Sequence, residues 1–367
     1  MRRAPFVFAS LGMALAGPLA AQLASERAGA GVFFERYGFS DAASLGIESV
    51  TLLTVPFAVR FDATPAIGLQ LSGAWARGSM TPANGQELTM AGLTDTELRA
   101  TFAFRNQAFV LTAIALLPTG HSQLTDNEAQ VAGLIAADVL PFRITNWGTG
   151  GGFGASVSAA APVGSFAAGV SAGYVVAREF EPLDADQSFV YRPGNQLHIT
   201  AALDRDVGTT AKASLRLSFQ AFATDEANGA NLYQAGSRFQ ATGSYAFAAG
   251  ARASAIVYAG FLHRAEGQFE VQTDVRPAQD QFLAGGGIRF PLGRGILQPG
   301  LDLRLLSGTD DADSGHTIGV GATAEWPVGG ATVAPALRAR FGSAQGSGSE
   351  SAFTGAEAGL AIRFGSR

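Results

Sequence analysis

Basic side chains on every second residue are the most chemically active feature of this chain. In AKASLRLSFQAFATD (residues 211–225), Lys212 and Arg216 share the even positions with Ser214, Ser218 and Gln220. The odd positions from 211 to 223 are Ala, Leu or Phe. Arg60, Arg99, Arg105, Arg238, Arg252, Arg289, Arg304, Arg338, Arg340 and Arg363 fall on the polar side of comparable segments. Acids on that side are fewer: Glu97, Asp204, Asp302, Glu325 and Glu357. A guanidinium is a planar fork that binds carboxylate or phosphate through two hydrogen bonds. A wall lined this way would concentrate anions. The same groups could instead be held in ion pairs, which satisfy charge removed from water. Pairing is the reading favoured for most of them, with an excess of positive charge left over and a mild anion preference.

Other chemistry is weakly supported. His121, His198, His263 and His316 accompany no serine-centred elbow and no regular His–acid spacing. No catalytic residue is therefore expected, and the chain is not read as an enzyme. Asp184 and Asp186 in EPLDADQ, and Asp310, Asp311 and Asp313 in TDDADSGH, lack the full ligand pattern of a calcium loop. They are expected to be solvated, with no metal bound. GTGGGFG (residues 148–154) resembles a phosphate-binding turn only on the surface. Such a turn needs a helix after it, and here an alternating segment follows. No cofactor is implied.

The elements that position the charged residues must have a period of two, the signature of extended strands. Alternation recurs near residues 195–204, 233–247, 296–306 and 331–341. The connections take turns. Tight ones such as FDATPA, RDVGTT, PLGRG and PVGGA are followed by long polar ones such as RGSMTPANGQELTMAGLTD, HRAEGQFEVQTDVRPAQD and GSAQGSGSES. One end of the sheet therefore differs from the other, as in bacterial outer-membrane barrels with short periplasmic turns and long outer loops. Counting hairpins gives about sixteen strands, or about fourteen if the least regular segments are not strands. Phe61, Phe104, Phe247, Phe290, Trp326 and Phe364 gather beside the short turns, like one interfacial girdle. The expected fold is an all-β, closed antiparallel transmembrane β-barrel.

Composition agrees. The chain has 367 residues, 47% hydrophobic and 15% charged, with 47 glycines and no cysteine. Past the N-terminus no apolar run approaches the roughly 18 residues of a spanning helix. MRRAPFVFASLGMALAGPLAAQ has the charged start, apolar core and small-residue cleavage site of an export signal. Residues 1–21 are read as that signal and 22–367 as one barrel domain in the bacterial outer membrane. There is no basic tract of the nucleic-acid-binding kind. In hydrocarbon a sheet must close on itself to satisfy its backbone. About sixteen strands would leave an aqueous lumen, whereas about eight would be filled by side chains.

The longest connection, residues 121–148, is HSQLTDNEAQVAGLIAADVLPFRITNWG. Thr125 or Asp126 is placed to cap a short helix with Glu128 in its first turn. Val131, Leu134, Ile135 and Val139 follow at near-helical spacing. An oily helix is unfavourable in water, so the segment is expected to pack inward as a constriction. An outer loop or an additional strand pair is the alternative.

LTDTELRATFAF, ALLPTG (residues 115–120), YRPGN and LDRDVG together resemble the meta-pathway phenol-degradation transporter-like family of exported barrels. The resemblance implies a barrel that moves small, often hydrophobic or aromatic compounds. One departure from outer-membrane barrels in general is that Phe364 is not the last residue but is followed by Gly365, Ser366 and Arg367. The function expected is a passive channel for small solutes, with outer-membrane lipid and the barrel assembly machinery as partners. A narrower barrel for hydrophobic compounds would need an inner apolar patch, for which Phe222, Ile256, Tyr258, Leu262 and Leu306 are candidates. A surface enzyme and a non-conducting scaffold are the readings from other classes. Oligomeric state is left open.

Overall fold

The alternating segments are strands, and they join into one continuous ring. The computed structural model describes residues 27–365 apart from 84, 106, 186–187, 271–274, 309–313 and 347–348. The export signal, Asp186, Asp310, Asp311 and Asp313 lie outside the described residues. The ring strands are β1 (Ala28–Phe39), β2 (Ile47–Thr64), β3 (Ile67–Pro82), an interrupted β4 (Leu88–Leu93 and Thr96–Phe104), β5 (Phe109–Leu117), β6 (Gly152–Val163), β7 (Phe166–Ala177) and β8 (Gln196–Val207). They continue as β9 (Ala211–Phe222), β10 (Arg238–Ala248), β11 (Ser254–Arg264), β12 (Gln279–Leu292), β13 (Gly295–Gly308), β14 (Gly315–Val328), β15 (Ala331–Gly346) and β16 (Ser349–Phe364). Each pairs antiparallel with its neighbour, and β1 pairs with β16 from Ala28↔Phe364 to Phe39↔Phe353. The result is a closed 16-strand barrel.

Side-chain parity divides the wall into two faces. Val32, Phe34, Val59, Phe61, Leu71, Leu98, Phe104, Val170, Leu215, Leu217, Leu337 and Phe364 are exposed on the outer face. A globular protein rarely exposes so continuous an apolar surface, whereas a lipid-facing wall requires one. The opposite positions point inward.

β4 is interrupted for a reason that matters to the site. Leu93 and Leu98 are both outward and exposed, although residues an odd number of steps apart on a regular strand face opposite sides. An extra residue at Thr94–Asp95 resets the parity, which is the effect of a β-bulge. Thr94 covers the gap: its N–H donates to the Ala74 carbonyl (2.8 Å) and its hydroxyl accepts from the Ala74 N–H (3.0 Å). Asp95 is thereby freed to turn toward the next connection.

Two of the expected long loops are largely strand. β3 and the first part of β4 continue through most of RGSMTPANGQELTMAGLTD, with Trp75 to Met80 paired to Leu88 to Leu93. β15 and β16 likewise pair as far as Gly346↔Ser349 within GSAQGSGSES. These ends read as loops because outward positions such as Arg77, Ser79 and Thr89 are polar, so the alternation fades although Met80 and Met90 point inward, and hydrogen bonding between strands needs no apolar outer face. The long connections after β7, β9 and β11 build a separate five-stranded sheet at the same end: Tyr191–Arg192, Asp225–Ala227, Ala230–Gln234, Gly267–Phe269 and Val275–Arg276.

Candidate functional site: a strap across the lumen

Residues 118–151, between β5 and β6, fold into the barrel. Asp95 closes the base of this segment. Its carboxylate accepts from the Gly120 N–H (3.0 Å), the Thr149 N–H (2.7 Å) and the Thr149 hydroxyl (2.9 Å). Gly120 is required there, because a Cβ would lie 2.2 Å from the Trp147 carbonyl oxygen.

The helix forms where the sequence places it, at α2 (Asp126–Ile135), after the short α1 (Ala42–Leu45). Thr125 is the N-cap. Its hydroxyl accepts from the Glu128 N–H, and Glu128 Oε2 accepts in return from the Thr125 N–H at 3.0 Å. This reciprocal box satisfies two otherwise orphaned donors. Burial works to raise the Glu128 pKa, but the Thr125 hydrogen bonds and His121 (3.1 Å) outweigh it and hold the carboxyl below its ordinary range.

Val131 and Ile135 on α2 are fully buried, with Leu134 and Val139 packed beside them. Val139 lies beyond the helix, which ends at Ile135 with Ala136 as its cap. Phe142 and Trp147 complete the cluster from the same segment. Their partners are inward residues of the barrel wall: Tyr37 on β1, Val50 and Leu52 on β2, Met80 on β3, Met90 on β4 and Phe353 on β16. Tyr37 meets Phe142 edge-on at 5.0 Å and Phe353 at 5.7 Å. The Trp147 indole N–H donates to the Ala76 carbonyl at 3.2 Å. Gly78 makes the approach feasible, since a Cβ there would sit 2.5 Å from Ile135 Cδ1. An apolar cluster of this size is foreign to a simple water-filled barrel, whose inner face is polar. It exists because the strap brings its own apolar side.

Charge fixes the strap at two further points. Glu35 on β1 and Glu357 on β16 are direct cross-strand partners, and both are buried. Like charges placed opposite each other destabilise a sheet, so this pair demands cations. Arg340 on β15 supplies one, donating from Nε to Glu357 and from Nη1 to Asp302 at 2.8 Å. Arg143 of the strap supplies the other. Its backbone N–H donates to Glu35 at 3.3 Å, and its guanidinium lies 3.7 Å from both carboxylates and 4.3 Å from the centre of the Phe33 ring. Farther along, Asp138 accepts from Arg264 Nη1 of β11 at 2.6 Å, with Arg276 at 3.5 Å. β11 lies half-way round the ring from β3, so the segment crosses the lumen from wall to wall.

The wall of β6–β10 is different. Its inward positions include Ser156, Ser158, Ser171, Thr200, Ser214 and Ser218. Ser158 and Ser171 share a hydrogen bond at 2.9 Å. Lys212 and Arg216 point inward from β9 and are exposed. His198 on β8 also points inward and is bridged by Gln196 and Gln220, each at 3.1 Å. At the mouth, a cavity of about 760 Å³ lies between the start of the strap and the connection after β7, lined among others by His121, Glu128, Arg178, Glu181 and Asp184.

Most of the basic residues singled out from the sequence are paired. Arg60 meets Asp62 (2.9 Å), Arg99 meets Glu97 (2.8 Å) and Lys212 meets Asp204 (2.9 Å). Arg289 and Arg363 share Glu325 at 2.9 and 2.7 Å. Arg338 joins Arg340 on Asp302. Arg238 stacks over the Phe222 ring at 5.4 Å, and Arg304 lies against the Gln281 amide. Two positions depart from parity. Arg252 lies in the turn before β11, and Arg105 in the turn after β4 with φ of 48°. Parity extrapolated past a strand end says nothing once the chain has turned. The sequence reading missed Glu35, Asp95, Asp138 and Arg143. Glu35 has a signal, as the acid between Phe33 and Tyr37 on the inward side of β1. The other three occupy irregular backbone and have none. Among the described residues no group of three or more His, Cys, Asp or Glu could hold a metal ion.

No family model matches the chain, and no curated protein matches it. Solved structures similar to it include a triple mutant of the Rhodopseudomonas blastica porin, 12% identical over 92% of this chain and 99% of that one, with a TM-score of 0.39. An outer membrane channel from Pseudomonas putida F1 is 13% identical over 77% of this chain and 96% of that one, with a TM-score of 0.41. The barrel described above stands on this chain's own strand pairing.

Proposed function

We propose that the chain is a passive outer-membrane channel for small solutes, exported by residues 1–21 and inserted by the barrel assembly machinery. The observation that carries this reading is Arg216, which is inward, exposed and in the middle of β9, on the wall that the strap leaves uncovered. Water must reach that side chain inside the barrel. The strap narrows the passage, and solutes cross beside it along the serine-rich wall of β6–β10. Acids neutralise most of the inward arginines, so the residual field is modest and positive, and small anions are favoured. Reversal potentials in planar bilayers under a salt gradient test this. Discrete openings with anion preference are expected, whereas a sealed bilayer or clear cation selectivity contradicts the reading.

The narrower function, passage of hydrophobic or aromatic compounds, is supported by Ile256, Tyr258 and Leu262, inward positions of β11 with Gly260 between the last two, and by the resemblance of the four motifs above. Liposome uptake of a phenol compared with a sugar of similar size separates the two. Preference for the phenol supports the aromatic reading, and equal uptake supports simple sieving.

A further inference from the structure

The outer face is not apolar throughout. On β1 to β4, at the long-loop end, one cross-strand row reads Arg36, Thr51, Ser79, Thr89. Each is the direct partner of the next, in the pairs Arg36↔Thr51, Thr51↔Ser79 and Ser79↔Thr89. All four have outward parity, on the same face as Val32, Phe34, Val55 and Leu71. Arg77 lies one outward position below Ser79 on β3, and Trp75 lies one below that, 37% exposed. Arg36 and Arg77 are both exposed, and among the described residues neither is held by a carboxylate.

Two other charged sites of the outer face do have partners. His263 and Asp280, on β11 and β12 at the long-loop end, pair at 2.7 Å. Arg205, near the short turns, lies 5.2 Å from the centre of the Phe166 ring. Arg36 and Arg77 are thus two uncompensated cations directly above an apolar belt, with hydroxyls between them and an aromatic side chain at the boundary. The four-strand row spans about 14 Å at the usual strand spacing of about 4.8 Å. Arginine stems lie along apolar surface while the guanidinium reaches the headgroup layer, and the planar fork matches phosphate.

We infer that this row binds the phosphate of an anionic lipid headgroup in the outward-facing leaflet, with acyl chains lying on the belt below. The inference rests on the membrane-spanning reading given above but needs no conduction, so it stands or falls separately from the channel function.

The test uses Trp75 as a local probe. Full-length protein is reconstituted in phosphatidylcholine vesicles containing a minor fraction of brominated phosphatidylglycerol or, in the control, brominated phosphatidylcholine. A Trp75→Phe variant gives the background from Trp147 and Trp326. Trp75 should show an apparent local enrichment of the anionic lipid on the order of tenfold, as two basic side chains at a lipid surface supply. Arg36→Gln/Arg77→Gln should abolish the enrichment, and Arg36→Lys/Arg77→Lys should keep part of it. Equal quenching of Trp75 by the two brominated lipids in the unsubstituted protein overturns the inference and requires no variant to fold. Enrichment that persists undiminished in the Arg36→Gln/Arg77→Gln protein also overturns the inference, because the two guanidinium groups would then not be what holds the lipid.

Discussion

The two halves of the barrel wall share one backbone plan and differ in what their inner faces carry. On β1–β3, β15 and β16 the inward positions include Tyr37, Leu52, Met80, Arg340, Phe353 and Glu357, all buried. On β6–β10 they are mostly Ser, Thr, Ala, Gly and Gln, with Lys212 and Arg216 in reach of water. The first wall is finished only when the strap is in place. Its apolar side chains need Val131, Ile135, Phe142 and Trp147, and its carboxylate pair needs Arg143. The second wall is complete without the strap. The lesson is that lumen width here is set less by strand number than by which sector of the wall is built to receive a loop.

Removing the strap breaks this asymmetry most severely. Deleting residues 124–140 takes away α2 and Asp138 but leaves every ring strand. Single-channel conductance should rise severalfold, and unchanged conductance in a folded variant would mean that the strap does not narrow the path. A smaller effect is expected from Arg143→Met, which leaves Glu35 and Glu357 facing each other with one cation fewer. Loss of one partner from a buried charge cluster typically costs about 3–5 kcal/mol. The barrel should unfold at lower denaturant, with the amides of residues 137–147 exchanging faster than those of β6–β10. Replacing Arg216 should leave stability almost untouched, which sharpens the contrast. The smallest effect is at the cap. The Glu128 pKa is depressed in the folded protein, so its stabilisation is present above the ordinary carboxylate pKa and is lost as pH falls through the depressed value. Glu128→Gln should cost about 1 kcal/mol or less near neutral pH, measured as earlier fraying of α2, and the difference from the parent should vanish at acidic pH.

The ring was legible because an apolar outer face and a polar inner one impose a period of two on the ring strands. The capping box was legible because Thr125 and Glu128 are local in sequence. Other features were not. Near the ends of β3, β15 and β16 the outward positions are no longer apolar, so the alternation fades although Met80 and Phe353 still point inward, and Gly, Ser and Thr read as loop. The bulge at Thr94–Asp95 changes parity without any signature residue. The contact of Arg143 with Glu35 joins positions 108 residues apart, and the strap has no periodicity at Arg143 to announce it. Pairing of the inward arginines was anticipated as a class, because unpaired buried charge is costly. The individual partners follow from strand register, which sequence alone does not state.

The central claim is that the lumen is filled on one side and open on the other. The chain has no cysteine, so single substitutions report cleanly. Ser218→Cys places a thiol inward on β9, and Thr54→Cys places one inward on β2, where Thr54 is fully buried. Both are treated with a charged, water-soluble thiol reagent in reconstituted protein while conductance is recorded. The account predicts rapid labelling of the Ser218→Cys protein with a stepwise fall in conductance, and protection of the Thr54→Cys protein until the strap is deleted. Labelling of the two at equal rates, or labelling of the Ser218→Cys protein without any change in current, would contradict it.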